Sequence, residues 1–160
     1  MKNNKAIIIG LVIVGIAVAA FWASSGNDTQ KSVVNELLGG EKVVVYKSPT
    51  CGCCEAYSSY LKSEGITVDV QNVADLNVIK ERFNIPLNLQ SCHTMEVGGY
   101  VVEGHVPLEV VEKLLAEKPQ IQGVALPGMP SGSPGMPGLK TAPFAIYTLG
   151  GAEGEIYMTI

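Results

Sequence analysis

The four cysteines of this chain fall in two places. Cys51, Cys53 and Cys54 share the run Pro49-Thr50-Cys51-Gly52-Cys53-Cys54, and Cys92 is followed directly by His93. Three thiols this close repel one another as thiolates, so either a metal neutralises them or some stay protonated or oxidised. Thiolate and imidazole together suit a soft metal: Cu(I) first, with Zn(II) as the main competitor. Cys51 and Cys54 also have the CxxC spacing of a redox dithiol, with Cys53 as an extra thiol. A Cys51–Cys54 disulfide fits that spacing and leaves Cys53 and Cys92 to be explained. A bond between the adjacent Cys53 and Cys54 would be strained. His105, in Glu103-Gly104-His105-Val106-Pro107, is the second histidine. Met95 could add a thioether from beside Cys92-His93. Met129 and Met136, in repeated Gly-Met-Pro units, are weaker candidates, either as outer thioether ligands or as an apolar cover.

Positioning these groups requires a strand-to-helix turn and a hairpin facing it. Val43 to Tyr46 reads as a strand buried on both faces. Ser48-Pro49-Thr50 turns the chain, and Cys53 to Lys62 reads as a helix with Ala56, Tyr57, Tyr60 and Leu61 on its buried side. The thiol triplet therefore sits where unpaired backbone N–H groups and the helix dipole favour a thiolate. Gly65 ends the helix, Ile66 to Val73 alternates as a second strand, and Asp75 caps a helix running to about Phe83. Strand, helix, strand, helix in this order implies parallel pairing of the two strands. Thr94 to Val97 and Tyr100 to Glu103 flank Gly98-Gly99, a hairpin signal. Pro107 then opens a helix striped by Val110, Val111, Leu114 and Leu115. The result is an α/β chain with a thioredoxin-like βαβα-ββα core. Cys92-His93 falls at the start of its third strand, opposite the thiol triplet. From Gly123 to Gly138 the chain becomes a Gly/Pro/Met loop, followed by two strands at Phe144 to Leu149 and Glu155 to Ile160, a C-terminal β-hairpin.

The N-terminus is of another kind. Lys2 and Lys5 precede an uncharged run of 18 residues from Ala6 to Ala23, after which the chain turns polar at Ser24-Ser25-Gly26. That length is just enough to span a bilayer, and the basic residues before it orient the rest of the chain outward. Residues 1–24 are thus expected to be a membrane anchor or signal segment, with the uncleaved anchor favoured over cleavage at Ala17-Val18-Ala19. Residues 25–41 form a linker and lead-in helix carrying Val33, Val34, Leu37 and Leu38. Residues 42–160 form the metal-binding domain, expected in the periplasm. Without Lys2 and Lys5 the exported part keeps nine basic against fifteen acidic residues, a net charge of −6. No basic stripe is present for phosphate neutralisation, which argues against nucleic acid.

The CGCC turn, Ser91-Cys92-His93-Thr94, Gly98 to Pro107 (GGYVVEGHVP) and Gly128 to Met136 (GMPSGSPGM) together resemble the exported copper-resistance proteins of the CopG type. The likeness runs from about Val43 to Gly138. It implies copper held by Cys51, Cys53, Cys54 and Cys92, with His93 and His105 as further ligands, in a multi-copper cluster bridged by cysteine sulfurs. It also implies a role in copper tolerance, with copper cycling between Cu(I) and Cu(II) as the enzymatic form of that role. A copper efflux pump, a multicopper oxidase and a copper chaperone would all be compatible partners. Met95 departs from the family pattern, where a small residue such as alanine is expected. Two other functions compete: a thiol–disulfide oxidoreductase using Cys51 and Cys54, and a structural zinc site.

Overall fold

The computed structural model describes residues 42–160. The expected anchor at 1–24 and the lead-in at 25–41 lie outside these residues. Seven strands form one mixed sheet: β1 (Val43–Lys47), β2 (Val68–Asn72), β3 (His93–Val97), β4 (Tyr100–Glu103), β5 (Gly123–Ala125), β6 (Ala145–Leu149) and β7 (Ile156–Thr159), in the order β2-β1-β3-β4-β5-β6-β7. Helices α1 (Gly52–Ser63), α2 (Leu76–Arg82) and α3 (Leu108–Glu117) connect them. The order βαβα-ββα is therefore observed. β1 and β2 pair in parallel, and β3 and β4 form the antiparallel hairpin.

Local chemistry accounts for these boundaries. Cys51 is the N-cap of α1, its sulfur accepting from the Cys54 N–H. Asp75 caps α2 through a bond from the Asn77 N–H. Pro107 is the N-cap of α3 rather than its first helical residue, a shift of one position, because its ψ of 145° is still extended. The buried face of α1 is Cys54, Tyr57, Ser58 and Leu61. Ala56, expected on that face, is exposed instead, since the i, i+3, i+4, i+7 stripe begins at a cysteine rather than at Ala56.

Strand alternation divides the core in two. Val43, Val45, Met95, Val97 and Val102 pack with Tyr57 and Leu61 of α1 and with Val110, Val111 and Leu114 of α3. A smaller cluster of Ile85, Leu89, Val101, Ala125 and Leu149 occupies a second part of the core. Met95 is 1% exposed inside the larger cluster, so it packs as a core residue. Burying a side chain of this size contributes roughly 1.5–3 kcal/mol.

The C-terminal part corrects one expectation. Gly123 to Ala125, read as the start of the Gly/Pro/Met loop, is strand β5, parallel to β4 and joined to it across α3. β5 in turn pairs antiparallel with β6. The two final strands form the expected antiparallel hairpin and, through β5, extend the main sheet. Three residues are too few for a periodicity signal, which is why the strand was hidden next to the glycines and prolines.

Candidate metal centre

The site lies where the N-terminus of α1 meets the start of β3. Residues at one end of β1 lead to both: Lys47 pairs with His93 across the sheet, and the chain then turns through Ser48-Pro49-Thr50 into α1. Cys51 and Cys54 are joined as a disulfide. Cys53 sits beside it as a free thiol, its Sγ 3.5 Å from Cys51 Sγ and 3.9 Å from Cys92 Sγ. Cys54 Sγ lies 3.6 Å from the Cys92 carbonyl oxygen, so the triplet and the downstream thiol face one another. The four sulfurs fall mutually within 4.8 Å. Lys47, itself buried, places its ammonium 3.1 Å from Glu55 in the first turn of α1.

A second group shares Cys92. Its Sγ, His93 and His105 offer ligand atoms mutually within 4.8 Å. His105 Nδ1 is 2.6 Å from the Pro134 carbonyl, which can only accept, so Nδ1 carries the proton and Nε2 presents its lone pair. That Nε2 is 2.9 Å from Cys92 Sγ, and the thiol donates to it. His93 Nδ1 is 3.6 Å from the same sulfur. Its Nε2 is fully buried and has no hydrogen-bond partner. The His93 ring packs 4.5 Å from Tyr57 and 4.8 Å from His105, measured between centroids, and the Tyr57 hydroxyl donates to the Val106 carbonyl at 2.8 Å.

Electrostatics keep these groups neutral in the absence of metal. Burial drives the His93 pKa down to about 3, helped by His105 and Lys80. Burial also lowers His105, although its bond to Pro134 opposes that. Burial pushes the Cys92 thiol up to about 12, and the neighbouring Cys53 adds to the shift. A buried imidazole nitrogen with no partner costs free energy unless something satisfies it. Two free thiols, two neutral imidazoles and one unpaired nitrogen form a donor set that fits a soft metal ion. Such an ion would take the Cys92 thiol as thiolate, so its binding would release a proton.

Several positioning groups were not singled out from the sequence. Lys80 of α2 and Glu103 of β4 form a buried ion pair. Glu103 also accepts from the Ser91 N–H and from Thr94 Oγ1, both at 2.6 Å, and so grips the chain on either side of Cys92-His93. Its carboxyl is raised by burial, against the opposing pull of Lys80. A signal for this pair existed: Glu103 follows Val101 with period two, and Lys80 follows Leu76 with period four, so opposite charges occupy core-facing positions of two elements. The 127–138 loop closes a further side. Ser91 Oγ donates to the Gly128 carbonyl, and Pro134 holds His105. At Gly135, with φ of 79°, a Cβ would lie 2.7 Å from Tyr57 N and 2.8 Å from the Cys53 carbonyl oxygen, so only glycine lets the loop approach α1.

The structure thus brings together Cys51, Cys53, Cys54, Cys92, His93 and His105. Met129 is 53% exposed, and Met136 is half-buried beside Gly135.

Comparison with known proteins agrees with this geometry. A family model described as a protein of unknown function, DUF411, matches residues 89–136, which include Cys92, His93, His105 and the loop. No curated protein sequence matches the chain. Two solved structures, described as copper resistance protein CopG in a form 2 and a form 1, are similar over most of the described residues. The form 2 structure is 33% identical with a TM-score of 0.68, covering 75% of this chain and 98% of that one. The form 1 structure is 32% identical with a TM-score of 0.67, covering 74% and 96% respectively. With an identity of this size over almost the whole of those chains and a convergent cysteine cluster, the chain belongs to the CopG family of copper resistance proteins.

Proposed function

We propose that this protein is a copper-binding protein of copper tolerance, exported across the inner membrane and held there by residues 1–24, with a thioredoxin-like domain as the scaffold of its copper site. The observation that carries the reading is the meeting of four sulfurs with two neutral imidazoles, one of which has an unpaired buried nitrogen. Cys51, Cys53, Cys54, Cys92, His93 and His105 would be the ligands, and sulfurs shared between ions would let several Cu(I) ions use few donors. Met129 and Met136 supply weak thioether contacts or an apolar cover. Bound copper cycles between Cu(I) and Cu(II) at this site, and its exchange partners are an efflux pump, a multicopper oxidase or a chaperone.

Thiolate ligands favour Cu(I) over harder cations, and burial lets the cluster hold copper without releasing it to solvent. The test is copper stoichiometry of the full chain after anaerobic reduction and loading with excess Cu(I). Two or more coppers per chain are expected, with all four thiols protected from alkylation. Cys53→Ser should lower the stoichiometry by at least one copper; an unchanged value would count against a sulfur-bridged cluster.

The Cys51–Cys54 disulfide favours a second reading, thiol–disulfide oxidoreductase. On that reading Cys51 attacks and Cys54 resolves, and reduction of a substrate disulfide needs neither Cys92 nor His93. Loss of activity in Cys92→Ser would separate the two.

A further inference from the structure

The Cys51–Cys54 disulfide leaves a complete donor set beside it. With both sulfurs of the pair occupied by each other, Cys53 Sγ and Cys92 Sγ remain free 3.9 Å apart, and Cys92 Sγ is 2.9 Å from His105 Nε2. His93 adds a buried nitrogen that has no partner. The sulfurs therefore divide into two pairs with different states in one site: one oxidised, one still able to ligate.

The disulfide is poorly suited to being a structural staple. It closes only the loop from Cys51 to Cys54, a sequence separation of three, and the stabilisation from closing a loop falls as the loop shortens. Its position suits redox exchange instead. Cys51 is half-exposed at the N-cap of α1, where the helix terminus favours a thiolate, whereas Cys54 is fully buried behind it.

We propose that Cys51 and Cys54 are the electron source for one round of Cu(II) reduction, and that Cys53, Cys92, His93 and His105 hold the Cu(I) produced. This rests on the copper reading above and names its substrate as Cu(II). Two Cu(II) ions each accept one electron. The S–H bonds of Cys51 and Cys54 break, one S–S bond forms between them, and two protons leave to solvent. No other oxidant takes part, and the product state is the disulfide seen in the structure. A bond from Cys54 to its immediate neighbour Cys53 would be strained, so Cys54 takes Cys51 as its partner, as the structure has it.

The experiment uses the full chain, reduced, freed of reductant and kept without oxygen. Two equivalents of Cu(II) are added. Cu(I) is read with a Cu(I)-specific chromophoric chelator, and disulfides are located by acid quench, alkylation and peptide mass mapping. A parallel arm adds Cu(I) directly to the reduced form and to the preformed disulfide form. The expected result is two Cu(I) per disulfide, a two-electron couple, with the Cys51–Cys54 peptide as the oxidised product and Cys53 and Cys92 alkylatable. Copper should stay bound to the disulfide form. In Cys51→Ser, Cu(II) reduction should slow by about tenfold or more, because the partner thiol of the couple is gone. Three outcomes overturn the proposal while leaving the copper reading intact: a disulfide formed by another cysteine pair, Cu(II) held without reduction, or Cu(I) bound only by the reduced form. Absence of Cu(I) binding in both forms of the parallel arm overturns the copper reading itself.

Discussion

His93 should make the metal-free protein sensitive to acid. The ring is fully buried between Tyr57 and His105, and burial holds its folded pKa at about 3. An unfolded histidine titrates near 6.5, so below that pH the unfolded chain takes up a proton that the folded chain refuses. Stability from this residue is therefore intact above about pH 6.5 and falls as pH drops towards 3, by up to about 1.4 kcal/mol per pH unit. Between pH 6.5 and pH 4 the loss amounts to ~3 kcal/mol, a large share of the stability of a domain this size. His105, also lowered by burial, adds a loss of the same sign. Glu103, raised by burial, acts in the opposite direction, because its folded form takes up a proton first on acidification. The His93 part is isolated by comparison with His93→Phe, which keeps an aromatic ring against Tyr57 and has nothing to protonate. Urea unfolding of both proteins at half-unit intervals from pH 7.5 to pH 4, in the presence of a copper chelator, gives the two slopes. The variant should lose most of the slope and be the more stable protein at pH 4. Parallel pH profiles for the two proteins would refute the assignment of a buried, neutral imidazole.

The remaining predictions concern the frame around the ligands. Glu103→Gln leaves Lys80 charged and buried without its partner and should cost about 3–5 kcal/mol in urea unfolding. Adding Lys80→Met should recover part of that loss, because the uncompensated charge is gone; a simply additive double variant would show that the two do not form a unit. Gly135→Ala forces a Cβ against Tyr57 N and the Cys53 carbonyl and should displace the loop that carries Pro134. Its Cu(I) affinity, measured by chelator competition, should fall by about tenfold through loss of the His105 tether, and an unchanged affinity would show that Pro134 does not set the orientation of that ring.

Much of the fold could be read from punctuation and period. Asp75, Gly65, the Gly98-Gly99 turn and the Val-rich strands each state a local preference that the tertiary structure keeps, so βαβα-ββα emerged from residues alone. β5 did not, because Gly123-Val124-Ala125 has no pattern of its own and becomes a strand only by pairing with β4 on one side and β6 on the other. The meeting of Cys92 with the thiol triplet followed from the strand register. The roles of Pro134 and Gly135 did not. A backbone carbonyl that fixes a histidine tautomer from 29 residues away leaves no trace in side-chain type. Met95 shows the reverse case: its type suggested a ligand, but its parity on β3 put it into the apolar core with Val97.

The 127–138 loop links these observations. Its methionines drew notice as thioethers, yet Met129 points much of its surface to solvent, while the backbone of the same loop contacts the site at three places. Gly128 accepts from Ser91, Pro134 accepts from His105, and Gly135 lies against α1 at Cys53 and Tyr57. Each contact uses a carbonyl or a missing side chain, which explains a composition rich in Gly, Pro and Ser better than thioether ligation does. A loop of this kind orders His105 before any metal arrives, so less conformational freedom is lost when a ligand binds. The Lys80–Glu103 pair performs the same service for Cys92 from the other face of the sheet, through Ser91 and Thr94. Cys92 and His105 are thus fixed from two sides by groups that do not themselves ligate, while Cys51 stays half-exposed at a helix terminus. Rigidity is concentrated on two of the donors assigned to hold Cu(I), while Cys51, Cys53 and Cys92 share an intermediate exposure and Cys54 alone of the four thiols is fully buried.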